Sequence, residues 1–210
     1  LCLTRSSRYA LTESTELSSR LLWNTFLPNV AMKQRWWSWK HGQLATQHRF
    51  SYPNIALSLL KEPSFSYTPT VLMEHSVLYS MRLAPNHHIT IQGAVLSAIS
   101  HQESPQPPIS ARPFQAPRWI VPLSSILWRP RIQFHGHVGR SSWAYLIDTT
   151  LWTDRQYRSI WTEHQLSLFW RSQRNRSIEL GMRSSISRAY HHAPLLFRWF
   201  PVIDLAYGFE

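Results

Sequence analysis

The chain has 210 residues, of which 43% are apolar, so it can bury a core, and this argues against wholesale disorder. Its only cysteine, Cys2, excludes a disulfide framework and a thiolate metal site, and the lack of any run of 18 apolar residues argues against a transmembrane helix. Lys and Arg number 22 against 11 Asp and Glu, and this excess, nearly all arginine, predicts a polyanionic partner, nucleic acid first and an anionic membrane second.

Tryptophan is the second unusual feature of the composition. The chain has 11 Trp and 11 His but only 6 Gly. Trp and Arg are the residues enriched at the centres of protein interfaces. This combination predicts a subunit of a large assembly, without a cofactor, rather than a soluble monomeric enzyme.

Residues 1–22 resemble an organellar targeting segment, because they combine three arginines with many Ser and Thr. Glu13 and Glu16 argue against this interpretation, since such segments avoid acidic residues. We expect a mitochondrial matrix protein on this basis. The alternative is a short helix over Leu17–Trp23 that is capped by the Thr residues before it.

The stretch Met32–Phe50 is the densest basic and aromatic segment of the chain. Aromatic rings stack on unpaired bases while Arg and Lys hold phosphates, so the pattern is typical of an RNA- or single-stranded-DNA-binding tail. The alternative is a tail whose Trp side chains insert into pockets of a neighbouring subunit. The residues predicted to bind RNA or a partner here are Lys33, Arg35, Trp36, Trp37, Trp39, Lys40 and Arg49.

Residues 51–101 form a nearly neutral, small mixed region. Thr70–Arg82 is apolar enough for a helix or a strand, and Ile89–Ser100 is expected to pass from a strand into a small-residue helix. The following residues, 102–117, contain five prolines and predict an extended linker that separates two domains.

Two adjacent histidines, His87 and His88, have His75 and His101 nearby in sequence, and such a group can indicate a metal site. Adjacent His side chains rarely reach the same ion, and no Cys is available to complete a zinc site. We therefore expect histidines of solvated loops and no bound metal.

The C-terminal part is organised around Ile132–Trp152. Its apolar residues from Trp143 onward follow a 3.6-residue period and predict a strand, a Gly-His-Val turn and then a helix. Period-2 alternation predicts strands over Ser159–Arg171, Ser177–Ala189 and Leu195–Phe209, with the more apolar face of the first strand directed inward. Arg171, Arg174 and Arg176 cluster around the hairpin turn between the first two strands and are predicted to contact RNA or a partner. The alternative is a solvated face of the sheet.

The predicted fold is therefore α+β, with an antiparallel sheet packed on one main helix in the C-terminal half and a long, basic, largely irregular N-terminal extension. The predicted domains are a Trp- and Arg-rich extension over 1–50, the mixed region over 51–101, the Pro-rich linker over 102–117, and the α+β domain over 118–210.

The sequence from His135 to Arg140, followed by Trp143 and Asp148, resembles the strand-turn-helix of hotdog-fold acyl-CoA thioesterases. That family has a Gly-His-Val-Asn-Asn turn, and the aromatic and acidic residues lie here at the family's offsets from Gly136. The resemblance implies a long helix wrapped by an antiparallel sheet. The chain departs from the family where the Asn pair is replaced by Gly139 and Arg140.

A second departure concerns catalysis. The family's catalytic Asp lies a few residues ahead of the Gly, and residues 131–135 here contain no carboxylate that could act as base or nucleophile. Asp148 is expected on the helix, in a surface or dimer-contact role. The resemblance thus implies a hotdog-like scaffold that has lost its enzymatic residues.

Three functions follow from these features. The first hypothesis is a non-catalytic structural subunit of a mitochondrial ribonucleoprotein, in particular a mitochondrial ribosomal protein that contacts rRNA and neighbouring proteins. One alternative is a hotdog-type acyl-CoA thioesterase or acyl-binding protein. The other is an accessory subunit of a mitochondrial inner-membrane complex, in which Trp and Arg meet lipid head groups and neighbouring subunits.

Overall fold

The computed structural model describes residues 7–19, 24, 28–52, 70–100, 109–111, 119–121, 126–138, 143–154, 159–171, 176–188 and 196–207. Nearly all of these residues lie in β-strands, and no α-helix occurs within these ranges. Thirteen strands run through the described parts of the chain: β1 Ser7–Ala10, β2 Thr15–Ser19, β3 Asn29–Trp39, β4 Gly42–Ser51, β5 Thr70–Ala84, β6 His87–Ser100, β7 Ile109–Ala111, β8 Trp119–Val121, β9 Leu127–His137, β10 Trp143–Asp154, β11 Ser159–Arg171, β12 Arg176–Arg188 and β13 Leu196–Tyr207.

Eleven of these strands form one antiparallel sheet in the order β1-β2-β3-β4-β5-β6-β9-β10-β11-β12-β13. Strands that are neighbours in sequence are therefore neighbours in the sheet, except that β6 pairs with β9. The short strands β7 and β8 pair with each other in a separate two-stranded sheet. No helix in the described residues is long and apolar enough to cross a membrane.

The predicted α+β fold is wrong, because the segment expected to be its main helix is strand β10. All of Trp143–Asp154 pairs with β11, and most of it also pairs with β9. The helical period was a coincidence of a segment in which both alternating sets of residues are partly apolar. The β-branched residues Ile147, Thr149 and Thr150 favour a strand, since their side chains fit a pleated surface better than a helix.

The expectation of an irregular N-terminal extension is also wrong. Within residues 7–52, strands β1 to β4 form consecutive antiparallel pairs of the main sheet. Leu17 lies in β2 and not in a helix. The Thr12 hydroxyl instead accepts hydrogen bonds from the backbone N–H groups of Ser14 and Thr15, at 3.2 and 3.0 Å, which closes the turn between β1 and β2.

The three C-terminal strands are confirmed. The first extends over the predicted Ser159–Arg171, and β12 and β13 follow within a few residues of the predicted bounds. The helix expected at the end of Ile89–Ser100 is wrong, since β6 continues to Ser100. The linker predicted over 102–117 lies outside the described residues except for β7, so the division into domains stays a prediction.

The two faces of the main sheet have opposite chemistry. We call one the polar face; it carries buried polar and charged side chains and small residues, namely Ala31, Ala45, Glu74, Ser76, Gln92, Ala94, Asp148, Thr150, Ser167, Glu179 and Ser185. We call the other the apolar face; its side chains include Val30, Met32, Trp37, Trp39, Phe50, Val71, Val77, Ile91, Trp128, Ile132, Trp143, Ile147, Ile160, Leu166, Leu168, Trp170, Ile178, Leu180, Met182, Ile186, Phe197 and Trp199, and all of these are exposed.

The predicted orientation of β11 is therefore wrong. Its more apolar set, which includes Ile160, Leu166 and Leu168, is exposed, whereas Trp161 and Ser167 of the other set are buried. The polar face holds one small apolar cluster, in which Leu127, Trp152 and Trp161 are buried and Leu96 packs against them. Leu78, Leu146 and Phe169 are also on this face and are partly buried, while the buried residues outside the cluster are small or polar.

Candidate binding surfaces

The hairpin of β3 and β4 presents the predicted Trp cluster. Trp36, Trp37 and Trp39 are all exposed, with exposed fractions of 54%, 64% and 48%. Lys40 and His41 form the turn between the strands and are exposed as well. The structure thus brings aromatic rings and a cation together at one hairpin tip.

A β-bulge explains how two consecutive tryptophans lie on one side of this hairpin. The register shifts between Arg35 and Trp37, which inserts Trp36 as an extra residue. The Trp36 indole donates a hydrogen bond to the Thr46 hydroxyl at 2.9 Å, and Thr46 lies on the apolar face together with Leu44, the partner of Trp37. The bulge therefore aims both indoles toward the apolar face.

Contacts with β4 and β5 hold Trp39 in place. Its ring stacks on Tyr79 with a centroid distance of 5.8 Å and an interplanar angle of 27°. It also covers Gly42, where an added Cβ would lie 2.9 Å from three atoms of the indole. Since Gly42 has no side chain, the indole can pack directly against the backbone of β4.

The predicted cations of this segment have different environments. Arg35 is exposed and donates to the Glu13 carbonyl at 2.7 Å, and Lys40 is exposed in the turn. Lys33 is only partly exposed, and burial lowers its pKa, an effect that the facing Glu16 opposes. Lys33 therefore belongs to the polar face and not to the exposed Trp cluster.

The second predicted cluster, around the β11–β12 turn, is described only in part. Arg171 and Arg176 lie at the adjoining ends of β11 and β12, and Arg174 lies outside the described residues. The strand register puts this turn at the same end of the sheet as the turns at Lys40–His41 and Pro85–Asn86. Both predicted basic clusters thus belong to one end of the sheet, which we call the Lys40 end.

Arg49 forms part of a buried ion cluster on the polar face. The Glu74 carboxylate contacts the Arg49 guanidinium at 3.3 Å and the Arg129 guanidinium at 2.5 Å. Arg129 reaches from β9 across β6 to β5, and the small side chain of Ala94, its partner on β6, leaves room for this contact. Burial lowers the pKa of Arg129, and the neighbouring Glu74 opposes that shift.

Asp148 is the centre of a second cluster, so the expectation that it lies on a helix surface is wrong. It is only 6% exposed, and the Arg131 guanidinium donates to both of its oxygens. The Gln133 amide donates to the same carboxylate at 3.1 Å. The acid of the predicted turn-helix motif is therefore committed to a buried ion pair with β9.

The β11–β12 part of the polar face repeats this arrangement. The guanidinium of Arg183 lies 3.5 Å from the Glu163 carboxylate. It also donates to the side-chain oxygen of Gln165, Oε1, at 2.5 Å. The Gln165 amide in turn donates to Glu179 at 2.9 Å. Several arginines that the net charge suggested for phosphate binding are thus paired with carboxylates of the protein itself.

Aromatic residues mark both margins of the apolar face. Trp37, Trp39, Trp143 and Trp170 lie toward the Lys40 end, and the opposite margin carries Phe50, Trp128, Phe197 and Trp199. Between them lie mainly aliphatic residues such as Val77, Ile132, Ile147, Leu166, Leu180 and Met182.

Polar groups between these margins pair with one another. The imidazoles of His48 and His75 are joined by a hydrogen bond of 2.7 Å between their Nδ1 atoms. The Thr149 hydroxyl and His164 Nδ1 are 3.1 Å apart. The few polar side chains within the apolar face therefore satisfy part of their hydrogen bonding locally.

The histidines and Gly136 lie at the Lys40 end of β6 and β9. The predicted Gly-His-Val turn is wrong at its first two positions, because Gly136 and His137 both lie within β9, where Gly136 is buried. An added Cβ there would meet His87 Nδ1 at 2.5 Å and the Asn86 carbonyl at 2.8 Å. In the part of the chain that the structure describes, no group of three or more His, Cys, Asp or Glu residues is arranged to hold a metal ion.

In the described residues, no unpaired carboxylate lies ahead of Gly136, where the thioesterase family has its catalytic Asp. The side chains ahead of Gly136 on the polar face are Arg131, Gln133 and His135, and the carboxylate closest to them in register, Asp148, is bound by the first two. Comparison of the chain with protein-family models, with curated proteins and with solved structures finds no significant match. The binding partners are therefore inferred from the chain's own surfaces.

Proposed function

We propose that this protein is a non-catalytic structural subunit that lies against lipid through the apolar face of its sheet, as an accessory component of a membrane-bound complex. The observation that supports this is the segregation of the two faces. Large apolar side chains are exposed on one face, while carboxylates on the other are buried at 4–6% exposure. An apolar surface of this extent needs a nonaqueous partner, because patches on soluble monomers are far smaller.

The position of the aromatic residues favours lipid over a protein partner. Trp is enriched where hydrocarbon meets head groups, because its ring is apolar and its N–H is polar. Trp128 of β9 is ten residues from Val138, which directly follows the strand and whose backbone N–H donates to the Trp143 carbonyl at 3.0 Å. Ten strand residues extend about 33 Å, close to the hydrocarbon thickness of about 30 Å.

The ion clusters of the polar face support the same proposal. A charged group near hydrocarbon is costly unless it is paired and hydrogen-bonded. Glu74 and Asp148 meet guanidinium groups from other strands and direct no charge to the apolar face. The sheet can thus contact acyl chains on one side without exposing these charges to them.

Contact quenching of Trp fluorescence tests the proposal. In vesicles whose acyl chains carry bromine, we expect strong quenching compared with ordinary vesicles. Replacing Trp128, Trp143 and Trp170 with Phe should remove much of the quenchable signal. Replacing the buried Trp152 and Trp161 with Phe is the matched control and should leave the quenchable signal unchanged. Equal fluorescence in both kinds of vesicle would contradict lipid contact.

The second candidate is the ribonucleoprotein subunit, in particular a mitochondrial ribosomal protein, and the exposed β3–β4 hairpin favours it. Three exposed indoles and Lys40 supply stacking surfaces and a phosphate contact at one tip, and the exposed Arg35, which lies on the polar face of the same hairpin, supplies a second cation. The Arg171–Arg176 turn lies at the same end of the sheet and would extend this surface toward rRNA or neighbouring proteins.

Salt dependence tests RNA binding. Replacing Arg35, Trp36, Trp37 and Lys40 with Ala should weaken RNA binding and reduce the slope of log affinity against log salt by roughly 1 to 2, because two phosphate contacts are lost. A double change of the exposed Trp199 and Arg198 to Ala, on β13, is the control. An unchanged slope in the fourfold variant would remove the hairpin from an RNA interface.

Fractionation of an organelle lysate separates the two candidates. Flotation with membranes that RNase does not affect supports the lipid-contacting subunit. Sedimentation with large particles that collapse after RNase treatment supports the ribonucleoprotein subunit. The mitochondrial location is itself a prediction, and the same fractions test it.

A further inference from the structure

A row of basic side chains crosses three strands of the polar face at the Lys40 end. In the strand register Arg82 of β5 lies opposite His88 of β6, and His88 lies opposite His135 of β9. The rings of His88 and His135 are stacked, with a centroid distance of 5.1 Å and an interplanar angle of 11°. His137 follows on the same face of β9, and its backbone N–H donates to the Asn86 carbonyl at 3.0 Å.

The neighbouring strands bring no carboxylate to this row. On β10 the partners of His135 and His137 are Leu146 and Ala144. Toward the middle of the sheet the row is followed by Ser80, Thr90 and Gln133, and then by Asp148 diagonally across on β10. That carboxylate is already bound by Arg131 and Gln133.

The row is accessible to an anion, and hydrogen bonds hold the Arg82 guanidinium in position. Arg82, His135 and His137 are exposed, and His88 is half-buried. The Arg82 guanidinium is positioned over the β5–β6 turn, where it donates to the Pro85 carbonyl at 2.8 Å and to the Ala84 carbonyl at 3.4 Å.

Protonation of His135 is unfavourable without an anion. Partial burial lowers the pKa of His135, and charge repulsion from His88 and His137 lowers it further. A dianion bound between these groups would reverse the two charge effects. The stacked rings argue against a shared metal ion, because lone pairs in nearly parallel ring planes do not converge on one point.

We propose that Arg82, His88 and His135, with His137, bind the phosphate group of a phosphomonoester. A guanidinium and two imidazolium rings supply the N–H donors that phosphate oxygens accept. The group can come from a lipid head group or from a soluble phosphate, and both have the same dianionic chemistry. This inference goes beyond the proposed lipid contact and does not depend on it, because the row lies on the opposite face of the sheet.

Binding should be tighter at pH 6 than at pH 8. His135 binds a proton when the anion binds, and this proton contributes up to about a tenfold change in affinity per pH unit. The phosphate itself has a second pKa of about 6 and therefore keeps a substantial dianionic fraction at the lower pH.

The test titrates the full chain with glycerol phosphate, a soluble phosphomonoester, and, separately, with vesicles of phosphatidic acid in phosphatidylcholine, at pH 6 and pH 8. Binding of glycerol phosphate at pH 6 that weakens about tenfold at pH 8 supports a site for soluble phosphates. Binding only to the phosphatidic acid vesicles, with the same pH dependence, supports a head-group site. The absence of both, or binding that is equal at the two pH values, overturns the proposal.

Variants and a spectroscopic readout complete the test. His135→Gln and Arg82→Gln should each weaken binding about tenfold. His164→Gln, a histidine of the apolar face, is the matched control and should leave binding unchanged. In the unaltered protein, phosphate should raise the pKa of His135 as followed by the NMR signal of its ring proton, and an unchanged pKa overturns the proposal even if a variant fails to fold. Bromine quenching in vesicles without phosphatidic acid tests the lipid contact separately.

Discussion

The two faces of the sheet are built from the same strands but are stabilised in different ways. On the polar face, Glu74 and Asp148 are buried and bound by guanidinium groups from other strands. On the apolar face, side chains as large as Trp37 and Trp199 are each 64% exposed. An ordinary antiparallel sheet with one wet face buries its apolar side chains and exposes its polar ones. Polar groups of the polar face thus pair with one another within the sheet, whereas large apolar side chains of the apolar face remain exposed.

Removal of Glu74 from the polar face should cause the largest loss of stability. Glu74→Ala leaves the buried Arg129 guanidinium without its carboxylate, and we expect a loss of about 3–5 kcal/mol in the free energy of unfolding. Denaturant titration measures this loss. Glu13→Ala, in the exposed β1–β2 turn, is the control and should change stability by less than about 0.5 kcal/mol.

A paired replacement sharpens the same prediction. Glu74→Leu combined with Arg129→Met removes both charges together, and we expect most of the lost stability to return, because apolar residues of similar volume often replace a buried ion pair. If Glu74→Ala were as stable as the Glu13→Ala control, the ion cluster would not stabilise the polar face.

The Asp148 cluster should show a smaller effect. Asp148→Asn keeps the shape of the side chain but removes the charge that Arg131 binds through three hydrogen bonds. The Arg131 side chain is 32% exposed, so water replaces part of the lost interaction, and we expect a loss of about 2 kcal/mol. Thr149→Val, next in sequence on the apolar face, is the comparison, and an equal loss from both changes would contradict the assignment.

Substitutions at Gly181 and Gly93 test whether the polar face is more crowded than the apolar face. A Cβ added to Gly181 on the polar face would lie 2.4 Å from the Leu166 carbonyl oxygen and 2.5 Å from the Ser167 hydroxyl. Gly181→Ala should therefore cost about 1–3 kcal/mol. On the apolar face nothing lies within 4 Å of a Cβ at Gly93, so Gly93→Ala should be neutral or stabilising by up to about 1 kcal/mol. Thermal unfolding of both variants measures the difference, and equal melting temperatures would contradict it.

The smallest expected effect is a loss of stability at acidic pH through His135. Burial and the neighbouring His88 and His137 hold the pKa of His135 below its ordinary value of 6.5, so the folded protein binds fewer protons there than the unfolded chain. Without an anion, the free energy of unfolding should therefore decrease as the pH falls through 6.5. His135→Gln should reduce this decrease, whereas His164→Gln should not. A pH profile of denaturant midpoints in phosphate-free buffer tests both.

The sequence predicts strands well where a single set of residues alternates clearly. Period 2 over Ser159–Arg171 and the polar turn after it were sufficient to predict β11 and its hairpin with β12. The pattern of β10 was ambiguous, because Leu146 and Trp152 on one face are as apolar as Ile147 and Leu151 on the other. A short segment of this kind fits two periods, and only its pairing with β9 and β11 decides between them.

The direction of each face could not be predicted from alternation alone. A period of two residues separates two sets of side chains but does not say which set is covered. The usual assumption that the apolar set is inside gave the wrong orientation for β11. The signal that was missed is the match of acids and arginines across strands, such as Glu163 with Arg183, which needs the register to be known.

The candidate surfaces were predictable to a similar degree. The Trp-rich hairpin was found because three indoles and Lys40 are close in sequence, and all of them are exposed. Arg49 is close to them in sequence, but in the structure it contacts Glu74 on another strand, and its role in RNA or partner binding stays a prediction. The Arg82–His88–His135 row was missed, because its members come together only through the pairing of β5, β6 and β9.

The strand order also determines how the chain can assemble. Nearly every pairing in the main sheet joins strands that follow each other in sequence, so most contacts are local hairpins with low loop-closure entropy. The pairing of β6 with β9 is the exception, since residues 101–126 must first be closed into a loop. The two hairpin series on either side can therefore form early and independently, and the joining of β6 to β9 is the step we expect to set the folding rate.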